Sequence, residues 1–90
     1  MADPLVLTLS CADRPGITAR VTSFLFERGG NILEAQQFND RLSDAFFMRV
    51  EFDPGSTTRD AIRSEFAALA GELAMDWKLA LRNRPRRVLI

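Results

Sequence analysis

The 90-residue chain is long enough for one small domain, and its 47% hydrophobic content is that of a globular protein. Twelve basic and twelve acidic residues give zero net charge, which excludes bulk attraction to nucleic acid or to an anionic membrane. A single cysteine excludes an internal disulfide and predicts a reducing, cytoplasmic location, and no apolar run approaches the ~18 residues of a membrane span.

The first predicted elements are a strand and a helix joined by a turn. Strict alternation predicts the strand, whose buried face consists of Leu5, Leu7, Leu9 and Cys11. A helix is expected to begin near Pro15, with Asp13 as its N-cap, because proline is favoured in a first helical turn. Gly29 and Gly30 are predicted to end it in the left-handed conformation. Its buried face is predicted to be Ile17, Val21, Phe24 and Leu25.

The run Asp13-Arg14-Pro15-Gly16-Ile17 is the most informative feature of the sequence. A turn that opens a helix presents free backbone N–H groups and the positive end of a helix dipole. Gly16 removes a side chain where a ligand could approach. Such a turn can hold a small carboxylate. Because it carries no nucleophile and no obvious base, it predicts a sensing site rather than a catalytic one.

The middle of the chain predicts a hairpin. A weakly alternating strand runs from Ile32 to Asn39, and its Gln36 and Gln37 indicate a solvated or interface face. The polar turn 39–44 connects it to a strongly alternating strand. One face of that strand holds Phe46, Met48, Val50 and Phe52, and the other holds Phe47, Arg49 and Glu51.

A second helix and a last strand complete the pattern. Ser56 or Thr57 is the predicted N-cap, with Asp60 completing a variant capping box on Thr57. The buried stripe of this helix is predicted to be Ile62, Phe66, Leu69 and Leu73. The last strand is predicted from the alternation of Met75, Trp77, Leu79 and Leu81.

The order βαββαβ predicts an α+β, ferredoxin-like fold, with a four-stranded antiparallel sheet and both helices on one face. The uncovered face of the sheet is predicted to carry Thr8, Ser10, Phe47 and Arg49. These residues are too apolar in places to be left fully solvated, which indicates a partner.

The residue types present argue against catalysis. The chain has no histidine, which removes the commonest general base and zinc ligand. Cys11 is interpreted as a small core residue, and the carboxylates are too scattered to form a catalytic or metal-binding group. An RNA-recognition module would require a basic residue, a glycine and an aromatic residue in succession at the start of its motif, and the segment around Phe47 lacks them. A metal chaperone would require the motif Cys-x-x-Cys, which is also missing from the sequence. An acylphosphatase-like enzyme stays formally open, although no phosphate-binding loop is visible.

The strand 7–10, the run Cys11 to Ile17 and the sequence Gly29-Gly30-Asn31-Ile32 resemble ACT domains, a family of regulatory modules that bind amino acids. The resemblance covers about residues 4–82. Segments 46–52, 75–77 and 85–90 extend it to the N-terminal region of the bacterial formyltetrahydrofolate deformylase family, whose members hydrolyse 10-formyltetrahydrofolate to formate and tetrahydrofolate. In that family, an ACT domain precedes a formyltransferase-like catalytic domain.

The resemblance implies that residues 1–82 form an ACT regulatory domain. Residues 83–90, a basic tail running into apolar residues, would be a linker and the start of the catalytic domain, where 10-formyltetrahydrofolate is the substrate. This chain alone would then hold no catalytic residue, no metal and no cofactor. The implied ligand site consists of Asp13, Arg14, Pro15, Gly16, Ile17, Asn31 and Ile32.

The implied partners are a small amino acid, for which we expect glycine or methionine, and further copies of the chain paired sheet edge to sheet edge. Neither nucleic acid nor a membrane is expected as a partner. Two alternatives remain at this point, namely a stand-alone ACT-type regulator that acts by protein contact, and a dimerisation domain without a ligand.

Overall fold

A computed structural model of the protein describes residues 4–81. Within that range the chain forms β1 (Leu5–Ala12), α1 (Ile17–Glu27), β2 (Asn31–Asp40), β3 (Ala45–Asp53), α2 (Arg59–Glu72) and β4 (Asp76–Leu81). The predictions for the tail and linker, residues 82–90, lie outside the described residues. The predicted order of elements is confirmed.

The four strands form one antiparallel sheet in the order β2-β3-β1-β4. Strand β1 pairs with β3 and β4, and β2 pairs with β3, so each helical crossover skips one strand, as the ferredoxin-like fold requires. The predicted buried residues of β1 and β3 all face the core. The predicted fold is confirmed, with β2 and β4 as the two edges of the sheet.

A single hydrophobic core lies between one sheet face and the two helices. The predicted face of α1 is buried as expected, and in α2 the residues Ile62 and Phe66 are buried while Leu69 is half-buried. Phe66 packs edge-on against Phe24 of α1 and Trp77 of β4, with ring centroids 5.2 and 5.0 Å apart. This aromatic contact joins both helices to an edge strand.

Helix α1 ends in a Schellman motif that sets the start of β2. Gly29 has φ 83°, and its N–H donates to Phe26 O at 3.0 Å. The Gly30 N–H donates to Leu25 O at 2.9 Å. The predicted left-handed stop is confirmed at Gly29, whereas Gly30 has no positive φ and instead packs closely on α1.

The N-cap prediction for α2 is wrong by one residue. Thr58 is the N-cap, and its hydroxyl accepts a hydrogen bond from the Ala61 N–H at 3.1 Å. The Thr57 hydroxyl donates instead to Arg28 O at 2.8 Å, which ties the end of α1 to the turn before α2. Asp60 therefore does not complete a capping box on Thr57. It lies in the first helical turn, where its negative charge interacts favourably with the helix dipole.

Candidate ligand site at the first strand–helix turn

The turn between β1 and α1 leaves the start of the helix open. Gly16 is the N-cap, with φ 86° and ψ 2°, and no side chain among residues 4–81 accepts a hydrogen bond there. Residues Asp13 to Gly16 are exposed, whereas Ile17 is only 2% exposed. A ligand can therefore meet the backbone N–H groups of the first helical turn without displacing a capping side chain.

The prediction that Asp13 caps α1 is wrong. Its backbone N–H donates to Asp44 O at 2.9 Å, which holds this residue against the hairpin between β2 and β3. One oxygen of its carboxylate, Oδ2, accepts a hydrogen bond from Asn39 Nδ2 at 2.9 Å. The carboxylate is thus directed toward the end of β2, and the left-handed Gly16 occupies the N-cap position in its place.

Asn31 and Ile32 lie at the opposite end of the sheet from this turn. Asn31 pairs with Asp53 at the last residue of β3, whereas the turn follows Ala12, which pairs with Ala45 at the first residue of β3. The eight steps along β3 correspond to roughly 26 Å at about 3.3 Å per residue. One copy of the chain therefore does not bring Asn31 to the turn.

Two residues next to the turn were not among the predicted site residues. Gln37 Oε1 accepts a hydrogen bond from the Thr18 hydroxyl at 2.8 Å, and Asn39 binds Asp13 as described above. Both residues lie on the helix-facing side of β2. The register of β2 shifts between Ile32 and Glu34, and this irregularity weakens the alternation that would have shown which side they face.

The charges around the turn come from side chains at the surface. Burial raises the pKa of the Cys11 thiol, so at neutral pH it is an uncharged residue beneath the turn. Hydrogen bonds from the Ser43 hydroxyl and from the Leu42 N–H lower the pKa of Asp40, so the hairpin end of β2 stays negatively charged. This corner carries charge of both signs, because Arg14 lies in the same turn and its positive charge offsets part of the rise in the pKa of Cys11.

Two concave surfaces lie away from the turn. A groove of about 510 Å³ separates α1 from α2 and is crossed by the ion pairs Arg20–Glu72 at 3.0 Å and Arg28–Glu65 at 2.6 Å. The uncovered sheet face carries Phe47 and Arg49 as predicted, with the Phe38 ring 6.1 Å from that of Phe47. None of the predicted ligand-site residues lines either surface. Across residues 4–81 no group of three or more His, Cys, Asp or Glu is placed to hold a metal ion.

Neither helix in the described part of the chain is long and apolar enough to cross a membrane.

Comparison with known proteins agrees with this fold. The family model for the ACT domain matches residues 5–71, and the chain belongs to that family. It is homologous to the N-terminal region of formyltetrahydrofolate deformylase. The Bacillus subtilis (strain 168) enzyme of that name is 39% identical over 87 residues, covering 93% of this chain and 29% of the relative.

Two further matches carry the same name. The Corynebacterium sp. (strain P-1) enzyme is 40% identical over 87 residues, covering 94% of this chain and 30% of the relative. The crystal structure of the Burkholderia mallei ATCC 23344 enzyme superposes with a TM-score of 0.83 at 34% identity, over 89% of this chain and 28% of that one. The chain thus spans under a third of the length of the relatives it matches.

Proposed function

We propose that this chain is a regulatory ACT domain that binds a small amino acid, and that its parent protein hydrolyses 10-formyltetrahydrofolate. The observation that supports the binding function is the uncapped start of α1, which follows the exposed Asp13 in the same turn. The carboxylate of an amino acid would accept hydrogen bonds from the N–H groups of α1, and its ammonium group would pair with the carboxylate of Asp13. The hydrolysis is assigned to the part of the relatives that this chain does not match.

The site is completed, in this proposal, by a second copy paired along β2. This edge strand has ten residues, and each is exposed or half-exposed. A long edge strand with unpaired N–H and C=O groups and no proline is a template for another strand. Leu33 and Phe38 are 48% and 64% exposed along it, so pairing would also cover apolar surface.

Antiparallel pairing of two β2 strands explains how Asn31 takes part although it is remote from the turn in its own chain. Such pairing places the first residues of one β2 beside the last residues of the other. The last residues of β2 adjoin the turn, because Asn39 binds Asp13. Asn31 of one copy would therefore lie near the turn of the other, where its amide can both donate and accept.

The first test is a thermal-denaturation screen of the 90-residue chain against glycine, methionine and the other free amino acids. A ligand at 100 times its Kd stabilises by about 2.7 kcal/mol, which is a Tm shift on the order of ten degrees for a domain of this size. We expect Asn31→Ala to lose most of that shift while its Tm without ligand stays close to that of the parent chain. An unchanged shift in this variant would remove Asn31 from the site.

Phe26 tests the pairing itself. Thr18, Thr22 and Phe26 follow one another at i+4 on α1, and the Thr18 bond to Gln37 places this side of the helix next to β2. Phe26 is 76% exposed, so we expect it to be covered when two copies pair. Phe26→Asp should raise the dimer dissociation constant at least tenfold in sedimentation experiments. Ser64→Asp adds the same charge to an exposed position of α2 and should leave dissociation unchanged.

The open β2 edge also favours a second function, a dimerisation domain without a ligand. That function predicts the Phe26 result but no Tm shift with any amino acid. The two functions are therefore separated by the thermal screen alone.

A further inference from the structure

The Asp13 carboxylate is held in place by a partner from a distant part of the chain. Asn39 Nδ2 donates to Asp13 Oδ2 at 2.9 Å across 26 positions of sequence. The backbone of Asn39 is fixed by its pairing with Phe46 in β3, and that of Asp13 by its N–H bond to Asp44 O. Both ends of this contact are therefore anchored on the sheet rather than on a free loop.

The other oxygen of this carboxylate is free to accept. Within residues 4–81, neither a lysine nor an arginine forms an ion pair with Asp13, and its only side-chain hydrogen bond is that from Asn39. Asp13 is also exposed. The turn therefore offers an exposed carboxylate held at one oxygen by Asn39 and, three residues further on, the uncapped start of α1. These two groups prefer ligand charges of opposite sign.

We propose that Asn39 is a positioning residue that directs Asp13 toward the ammonium group of the ligand, so that the site selects α-amino acids over the corresponding 2-hydroxy acids. This inference rests on the proposed amino-acid site and adds its selectivity. A 2-hydroxy acid keeps the carboxylate for the helix N–H groups, but it offers Asp13 a neutral hydroxyl in place of a cation. A hydrogen bond between two charged groups is stronger than one to a neutral hydroxyl. Asp13 should therefore account for the difference in affinity between the two ligands.

The test uses isothermal titration calorimetry of the 90-residue chain with glycine and methionine and with their 2-hydroxy analogues. We expect the parent chain to bind the effective amino acid at least tenfold more tightly than its 2-hydroxy analogue. Asn39→Ala should weaken binding of the amino acid several-fold and leave the analogue almost unaffected. Asp13→Asn should bring the two affinities together.

Two further variants keep this reading separate from loss of fold. Asn39→Asp has the size of the native residue but faces Asp13 with a second acceptor, so it should reduce selectivity at least as much as Asn39→Ala. Gln36→Ala removes an amide from the same strand on its opposite, uncovered side, and should change neither affinity. Each variant is compared at an equal folded fraction, measured by circular dichroism.

Several results would overturn the inference. If Asn39→Ala weakened both ligands equally, Asn39 would serve only the shape of the site. If the parent chain bound both ligands equally well, the selectivity would be refuted and the amino-acid site retained. If Asn39→Ala kept the selectivity while Asn31→Ala lost binding, the positioning role of Asn39 would be refuted and the site retained. If no amino acid bound the parent chain, both the selectivity and the proposed function would fail.

Discussion

Replacing Phe66 with alanine is expected to lower the free energy of unfolding by about 3–5 kcal/mol, the usual cost of truncating a buried phenylalanine. The side chain is 0% exposed and lies edge-on to both Phe24 and Trp77. Its removal leaves a cavity where α1, α2 and β4 meet, and it also removes two favourable aromatic contacts. A small domain has only about 5–15 kcal/mol of stability in total, so this variant should be close to unfolding at physiological temperature.

Urea denaturation followed by far-ultraviolet circular dichroism measures this effect without relying on Trp77 fluorescence, which the substitution itself would alter. The denaturation midpoint should fall while the slope of the transition stays nearly constant. Phe38→Ala is the matched control, because that ring is 64% exposed and contacts Phe47 on the uncovered sheet face. Its loss should be below about 1 kcal/mol in a monomer. Equal losses in the two variants would show that Phe66 does not hold the core together.

The sequence predicted the core well because two local periodicities determine it. Side chains alternate along a strand and recur every 3.6 residues along a helix, so one apolar stripe reveals the buried face of each element. The alternating residues of β3, Phe46 to Phe52, and the stripe of α1 illustrate this, since each of these predicted core positions is buried. The strand order then followed from the βαββαβ succession and the handedness of the crossovers.

The helix caps were predicted less well because a cap depends on contacts that the local sequence does not contain. Asp13 has the right side chain to cap α1, but Asn39, from another strand, engages its carboxylate. Thr57 has the right side chain to cap α2, but its hydroxyl donates to the carbonyl of Arg28. In both cases a tertiary hydrogen bond competed with the local one.

Glu51 shows the same limit on the uncovered sheet face. Its position in the alternation of β3 predicts a solvated side chain, yet this residue is only 7% exposed. Arg49 Nη1 lies 3.7 Å from its Oε1, so a charged neighbour two residues away on the same face accompanies it. Alternation identifies the side of the sheet on which a residue lies. Its burial depends in addition on whether long side chains of neighbouring residues cover it.

For the candidate site, the sequence identified the turn but not its surroundings. The approach of a ligand at Gly16 stays a prediction, whereas the φ of 86° there is a conformation that itself favours glycine. The separation of Asn31 from the turn, and the placement of Asn39 beside it, both follow from strand register, which a single weakly alternating strand does not determine. The composite site with a second copy stays a prediction.

The start of β2 depends on a close contact between two glycine-containing turns. Gly55 follows β3 and has φ 68°, and a Cβ atom there would lie 2.5 Å from the carbonyl oxygen of Gly29. Gly29 itself has φ 83°, but a Cβ atom at that position would meet nothing within 4 Å. A substitution at either position therefore places a side chain on a left-handed backbone, but only a substitution at Gly55 also creates a clash. Strand β2 begins at Asn31, two residues after Gly29, so this contact also positions a predicted ligand residue.

Gly55→Ala is accordingly expected to destabilise the domain far more than Gly29→Ala. The left-handed conformation costs an alanine roughly 1–2 kcal/mol in either variant, and overpacking against backbone adds about 1–3 kcal/mol at Gly55 alone. Chemical denaturation of the two variants side by side isolates the second quantity as their difference. If both lost the same stability, the turns would separate at little cost. If Gly55→Ala has the lower free energy of unfolding, its folded molecules should also bind amino acids less tightly than those of Gly29→Ala. The reason is that displacement of the turn would displace Asn31 as well.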